Sequence, residues 1–208
     1  LSRDQLAGNG VALLRERNLA ARVQRGLERL YRLDRVADVQ DFVLSAPDGE
    51  REALMLREAQ DGALELCVRL PQLEDEAGLD VLCQIIEGVS HFVYVVERAR
   101  ACRQTTQLEL ELQAEVDKWV VLGASFDPFD ACRSATLRER LYEGIAFAHD
   151  AESEQGERYR VANDVAHRFV RRLERDYVQP GRFGELRAEL LHFFRGGQED
   201  KLRLGRAA

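Results

Sequence analysis

Glu87 and His91 are the two residues of this chain best placed for chemistry. They stand four apart within LDVLCQIIEGVSHFVYVVER, residues 79–98, the most apolar run of the sequence. On a helix, residues four apart lie one turn apart on the same face. A carboxylate and an imidazole placed that way can share a hydrogen bond, pass a proton, or supply half of a metal site. At about 100° per residue, Asp80, Gln84, Glu87, His91, Tyr94 and Arg98 fall within an arc of about 80°. The rest of the circumference is mostly Leu, Ile, Val and Phe. The plainer reading is a polar stripe facing water or a sheet rim. The sharper reading is a stripe lining a cleft, where burial raises the Glu87 pKa and a carboxylate neighbour raises that of His91.

Two other segments carry similar pairs. Residues 107–122 hold Glu109, Glu111, Glu115 and Asp117. Glu111 and Glu115 are four apart, which is repulsive on an isolated helix. Lys118, an arginine from another helix, or a cation must compensate. The plainer reading there is a solvated acidic face. Residues 156–178 hold Asn163 and His167 one turn apart, off the apolar stripe of Val161, Val165, Phe169 and Leu173. His149 follows a helix, and His192 in LLHFF reads as a core or edge histidine. Carboxylates and histidines on facing helices can hold divalent metal ions. The metal set expected from these pairs is Glu87, His91, Glu115 and His167, with Glu87 and His91 also the catalytic candidates. The spacing departs from the Glu-x-x-His of di-iron bundles, and no H-E-x-x-H is present.

Other chemistries lack their signatures. There is no phosphate-binding G-x-x-x-x-G-K-[ST], no G-x-G-x-x-G and no G-x-S-x-G. Cys67, Cys83, Cys102 and Cys132 show neither C-x-x-C nor zinc-finger spacing. Cys67 and Cys83 read as buried thiols, and Cys132 as the exposed one. Without a secretory pattern, a reducing cytoplasm is the expected location. Asp80, Gln84, Glu87 and His91 interrupt the apolar run, so it reads as a poor membrane span.

Composition bounds the rest. The chain has 208 residues, 45% hydrophobic and 32% charged, which suits one folded domain with a sizeable core. A net charge of -7 argues against nucleic acid and against anionic membranes as general partners. The charge is uneven: +4 over residues 1–35, -13 over 36–150 and +2 over 151–208. Only Lys118 and Lys201 are lysines; the other basic residues are arginines spread along the chain, as a GC-rich genome would produce.

The elements that must position these residues follow from periodicity. Residues 11–33 form an amphipathic helix with arginines opposite Leu13, Leu14, Leu19, Val23, Leu27 and Leu30. Residues 39–45, 52–58 and 63–70 read as strands, separated by Pro47-Asp48-Gly49 and by a hairpin signal at Asp61-Gly62. About five helices follow, at 76–103, 107–122, 134–148, 156–178 and 182–195. Thr106 and Glu109 form a capping box, which favours helix over strand for the alternating LELEL of 108–112. The expected fold is α+β: an N-terminal helix, a three-stranded antiparallel meander, then a mainly helical region. The expected division is 1–75, then 76–196 packed on it as one unit, then a mobile tail at 197–208.

Two functions fit this reading. The first is a non-enzymatic interaction or regulatory domain, working as a homodimer or with a protein partner through its arginine-rich first helix. The second is a metal-dependent hydrolase using carboxylates and histidines on facing helices.

Overall fold

A computed structural model describes residues 13–35, 37–47, 49–58, 64–73, 78–147 and 149–207. Among them the chain is mixed α+β and mostly helical, with seven α-helices and one three-stranded sheet. Helix α1 spans Leu14–Tyr31 and buries Ala20, Val23, Leu27 and Tyr31. Its C-terminus closes on Arg32 in the left-handed region (φ 54°). The Arg187 guanidinium, from a distant helix, donates to the Arg29 and Leu30 carbonyls, two of the acceptors a helix end leaves open.

The sheet departs from the expected meander. Strands β1 (Val43–Ser45), β2 (Ala53–Glu58) and β3 (Leu64–Leu70) lie in the order β1-β3-β2. β2 pairs antiparallel with β3, from Ala53 opposite Arg69 to Glu58 opposite Leu64. β1 runs parallel to β3, with Val43 opposite Val68. The first strand is shorter than expected because Val39–Asp41 turns as a 3-10 segment, fixed by Asp38 accepting from the Gln40 amide. The central position goes to β3, whose Cys67, Val68 and Leu70 are all buried; a central strand is covered most completely. The Asp61-Gly62 turn lies outside the described residues.

Helices α2 (Leu79–Arg100) and α3 (Gln107–Gly123) form the centre of the fold. Every α2 residue from Gln84 to Tyr94 is buried. By length and composition α2 would pass for a membrane span, yet 61% of its apolar window is packed inside the protein. The Thr106 hydroxyl accepts from the Glu109 amide and the Glu109 carboxylate from the Thr106 amide, so LELEL is helical. Helix α4 runs from Ala131 to Tyr142, capped by Asp130. It starts and stops earlier than the periodicity suggests, and residues 145–147 beyond it line a cavity instead. Helix α5 (Glu154–Leu173) continues into a π-turn at Glu174–Val178, followed by α6 (Phe183–Arg195). Residues 198–206, read from sequence as tail, form helix α7 (Gln198–Arg206) packed on α5, with Lys201 completely buried.

Gly88 sets the distance between sheet and α2. A β-carbon there would stand 2.9 Å from Leu70 Cδ2 and 3.1 Å from Val68 Cγ1, both on buried side chains. The same atom would be 3.5 Å from Glu52 Oε2, so this close approach also brings Glu52 to α2. Gly88→Val is therefore expected to push β3 outward and lower stability by about 1–3 kcal/mol, the usual cost of overpacking. Urea denaturation checks this; an unchanged midpoint would mean the sheet yields freely.

Candidate functional site

The middle of the α2 polar stripe is buried rather than facing water, while Asp80 at its start is exposed. Glu87 and His91 are 4% and 6% exposed. The acidic residues of α3 are not solvated either: Glu109, Glu111, Glu115 and Asp117 are all buried. Between the two helices Lys118 Nζ lies 2.8 Å from Glu87 Oε2 and 2.8 Å from Glu115 Oε1. Arg158 of α5 brings Nε to 3.8 Å from Glu111 Oε1. Lys118 and an arginine of another helix thus supply part of the compensation that the Glu111/Glu115 pair requires.

Glu52, just ahead of β2, is the fourth carboxylate. Its backbone amide donates to Gln84 Oε1 at 3.2 Å, and its carboxyl is buried against that of Glu87. Two carboxylates buried side by side repel, so one of them favours its protonated form. Burial, followed by the charge of Glu87, raises the Glu52 pKa well above the carboxylate range, so Glu52 holds the proton. Burial opposes the charge on Glu87 too, but Lys118, His91 and Glu52 together outweigh it and the Glu87 pKa falls. Burial likewise opposes the charge on Lys118, and Glu115 and Glu87 more than offset it. Burial, then Glu87, pushes Glu111 up to about 8.

His91 is the decisive member. Burial pulls its pKa down to about 4 against the pull of Glu87, so the ring is neutral at neutral pH. The ring is hydrogen-bonded toward the Leu110 carbonyl, while Nε2 is buried with no hydrogen-bond partner. A buried neutral imidazole keeps its proton where there is an acceptor, so Nε2 presents a lone pair. That lone pair faces Glu111 Oε2 at 3.7 Å. One ligand atom each from Glu87, His91 and Glu111 can be chosen so that all three lie within 4.8 Å of one another.

A cavity of about 370 Å³ adjoins the cluster. Glu87, Glu115, Lys118 and Cys83 form its polar end, with Tyr159, Phe147, Leu141 and Ile145 along the walls. Arg140 is exposed there, and His149 stacks on Tyr159 with ring centroids 5.2 Å apart. Burial pushes the Cys83 thiol up to about 11, so it is not a nucleophile at neutral pH. Compared with models of protein families, with curated proteins and with solved structures, the chain matches none.

The expected metal set is only partly assembled. Glu87 and His91 lie together, with Glu111 beside them rather than Glu115 or His167. Glu115 is held by Lys118. His167 does not join: its ring lies 2.9 Å from Arg138 Nη1 and 3.3 Å from Glu143 Oε1, stacked on Tyr142. The His192 side chain is 58% exposed, not a core or edge residue.

A second buried network lies beside the first on α3. Asp117 accepts from Tyr31 and Gln113, and from Ser90 at 2.6 Å. Lys201 Nζ donates to Gln113 Oε1 at 2.6 Å and to the Phe193 carbonyl at 2.8 Å, between the rings of Tyr94 and Phe193. Tyr31, Ser90, Gln113 and Lys201 sit on four helices, so the network ties α1, α2, α3 and α7 together. Burial lowers the Lys201 pKa to about 7, against an ordinary value of 10.5. Between those values the unfolded chain binds a proton that the folded chain does not, so this lysine makes stability rise with pH across the window. Below about 7 both states are protonated and the contribution is flat. The stability difference between wild type and Lys201→Met, from urea denaturation over about pH 6.5 to 9.5, is expected to move in favour of wild type as pH rises. A difference independent of pH would show that Lys201 stays charged when buried.

Proposed function

We propose that the protein binds one divalent metal ion at Glu87, His91 and Glu111 and uses it to hydrolyse a small molecule held in the adjoining cavity. The carrying observation is the buried Nε2 of His91, a lone pair with no partner facing a carboxylate oxygen 3.7 Å away. Two acceptors in that position repel, and a metal ion would take the place of the proton that Glu111, pushed up to about 8, otherwise holds there. Metal-bound histidines commonly hold their other ring nitrogen against a carbonyl or carboxylate, the role open to Leu110 here.

Charge supports the same reading. Glu52 keeps its proton, so Glu87, Glu111 and Glu115 are the carboxylates that can ionise, and they meet the buried Lys118 and the half-buried Arg158. Once Glu111, pushed up to about 8, gives up its proton, one negative charge is left uncovered, and a bound cation would meet it. An imidazole with two carboxylates suits zinc, manganese or iron(II) better than magnesium, which prefers oxygen and water. In a hydrolase built this way the ion would activate a water, and Glu115, at the cavity's polar end, is the carboxylate placed to take its proton.

Thermal melts of metal-stripped protein with added Zn²⁺, Mn²⁺ or Mg²⁺ test the binding half. At about a thousandfold excess over Kd, one of these ions should add about 4 kcal/mol of stability to wild type. The gain should vanish in His91→Leu. If no ion shifts the melt, or the variant shifts equally, the site is not a metal centre. The hydrolytic half is tested by presenting the loaded protein with p-nitrophenyl esters and phosphates. Turnover lost in Glu115→Gln is expected, and no turnover on any of them counts against hydrolysis.

A further inference from the structure

A groove along α1 is the other unexplained surface. It is lined by Leu19, Val23, Leu30, Ile86, Val120 and Val121, with a cavity of about 830 Å³. A second hollow of about 300 Å³ continues it past Trp119 and Phe129 to the exposed Phe183. Leu30, Val120, Ala124 and Arg187 line both. Every charged residue along the two hollows is an arginine: Arg22, Arg25, Arg29 and Arg187. Arg22, Arg25 and Arg29 are exposed and follow a helical spacing along one edge of α1. Among the described residues none of these three side chains has an ion pair or hydrogen bond, in a chain whose net charge is -7. Acids are plentiful in the chain, yet among the described residues none pairs with these three arginines.

We infer that this groove docks an acidic amphipathic helix of a protein partner. The apolar floor, formed between α1, α2 and α3, takes the partner's apolar face, and the three arginines meet carboxylates on its flank. Unpaired exposed cations beside an apolar floor select for negative charge and steer it in. This inference is independent of the metal site and gives the interaction reading of the sequence a specific surface and partner chemistry.

The probe is a displayed library of helical peptides of about 16 residues, roughly four turns. Leucines are fixed at one face, and the remaining positions are randomised among Glu, Lys, Gln and Ser. Selection on the full chain is expected to enrich Glu-rich peptides. Their affinity should fall at least about tenfold on the variant carrying Arg22→Glu, Arg25→Glu and Arg29→Glu, and weaken with added salt. Replacing the selected peptide's glutamates by lysine should restore binding to that variant. All three positions are exposed, so the circular dichroism of the variant should match wild type. Enrichment of neutral or Lys-rich peptides, or binding indifferent to the triple variant, would overturn the inference. So would binding of phosphatidylserine vesicles or self-association lost in the triple variant, with no peptide enriched.

Discussion

Replacing Lys118 by methionine is expected to destabilise the metal-free fold by about 3 kcal/mol at neutral pH, the scale of breaking a buried ion pair from one side. Its ammonium lies 2.8 Å from both Glu87 and Glu115, and all three residues are buried. Without it two carboxylates remain in a low-dielectric interior with no cation between them. They can stay folded only by binding protons, so their folded pKa values rise above the ordinary value of 4.5. A raised folded pKa gives stability that is present at low pH and lost as pH rises through it. The deficit relative to wild type should therefore be small near pH 4 and grow toward neutrality, as followed by urea denaturation. A divalent ion should restore part of the loss, because it supplies the missing charge to Glu87. A deficit that stays constant with pH would mean that the lost contacts, rather than the exposed carboxylate charges, set the cost.

Replacing His91 by leucine should separate binding from stability. Leucine fills a similar volume and removes a buried nitrogen that has no partner. In metal-free protein the change is expected to be neutral or mildly stabilising, since an unsatisfied buried polar atom is lost. In the presence of metal the same change should weaken binding at least about 100-fold, more than the usual effect of a residue one shell out. The opposite pattern, a large loss of metal-free stability with unchanged ion binding, would make His91 a structural residue.

The helix that carries this pair was legible from its apolar run and its single polar stripe. The direction in which the stripe faces was not. A helix packed at a sheet rim and one buried against another helix share the same one-dimensional pattern. Here α2 and α3 are both central, so Glu111, Glu115 and Asp117 are interior groups that resemble a solvated face in sequence. Glu52 gave no signal because only the close approach at Gly88 brings it to Glu87. His167 was misleading because Asn163 and His167 repeat the one-turn spacing, while Arg138 and Glu143 hold the histidine elsewhere. The strand order also escaped periodicity, which marks strands but not their neighbours. The lysines carry a usable signal. The chain's two lysines, Lys118 and Lys201, are both buried in polar networks. In an arginine-rich chain a lysine marks a place where a compact charge on a flexible stem is needed.

The central claim is that Glu87, His91 and Glu111 hold one metal ion. Equilibrium dialysis of protein purified without a histidine tag against Zn²⁺ or Mn²⁺, followed by elemental analysis, tests it most directly. The structure predicts one ion per chain for wild type and Lys118→Met, and almost none for His91→Leu at the same free concentration. Less than stoichiometric metal in wild type, or equal uptake by His91→Leu, would contradict it.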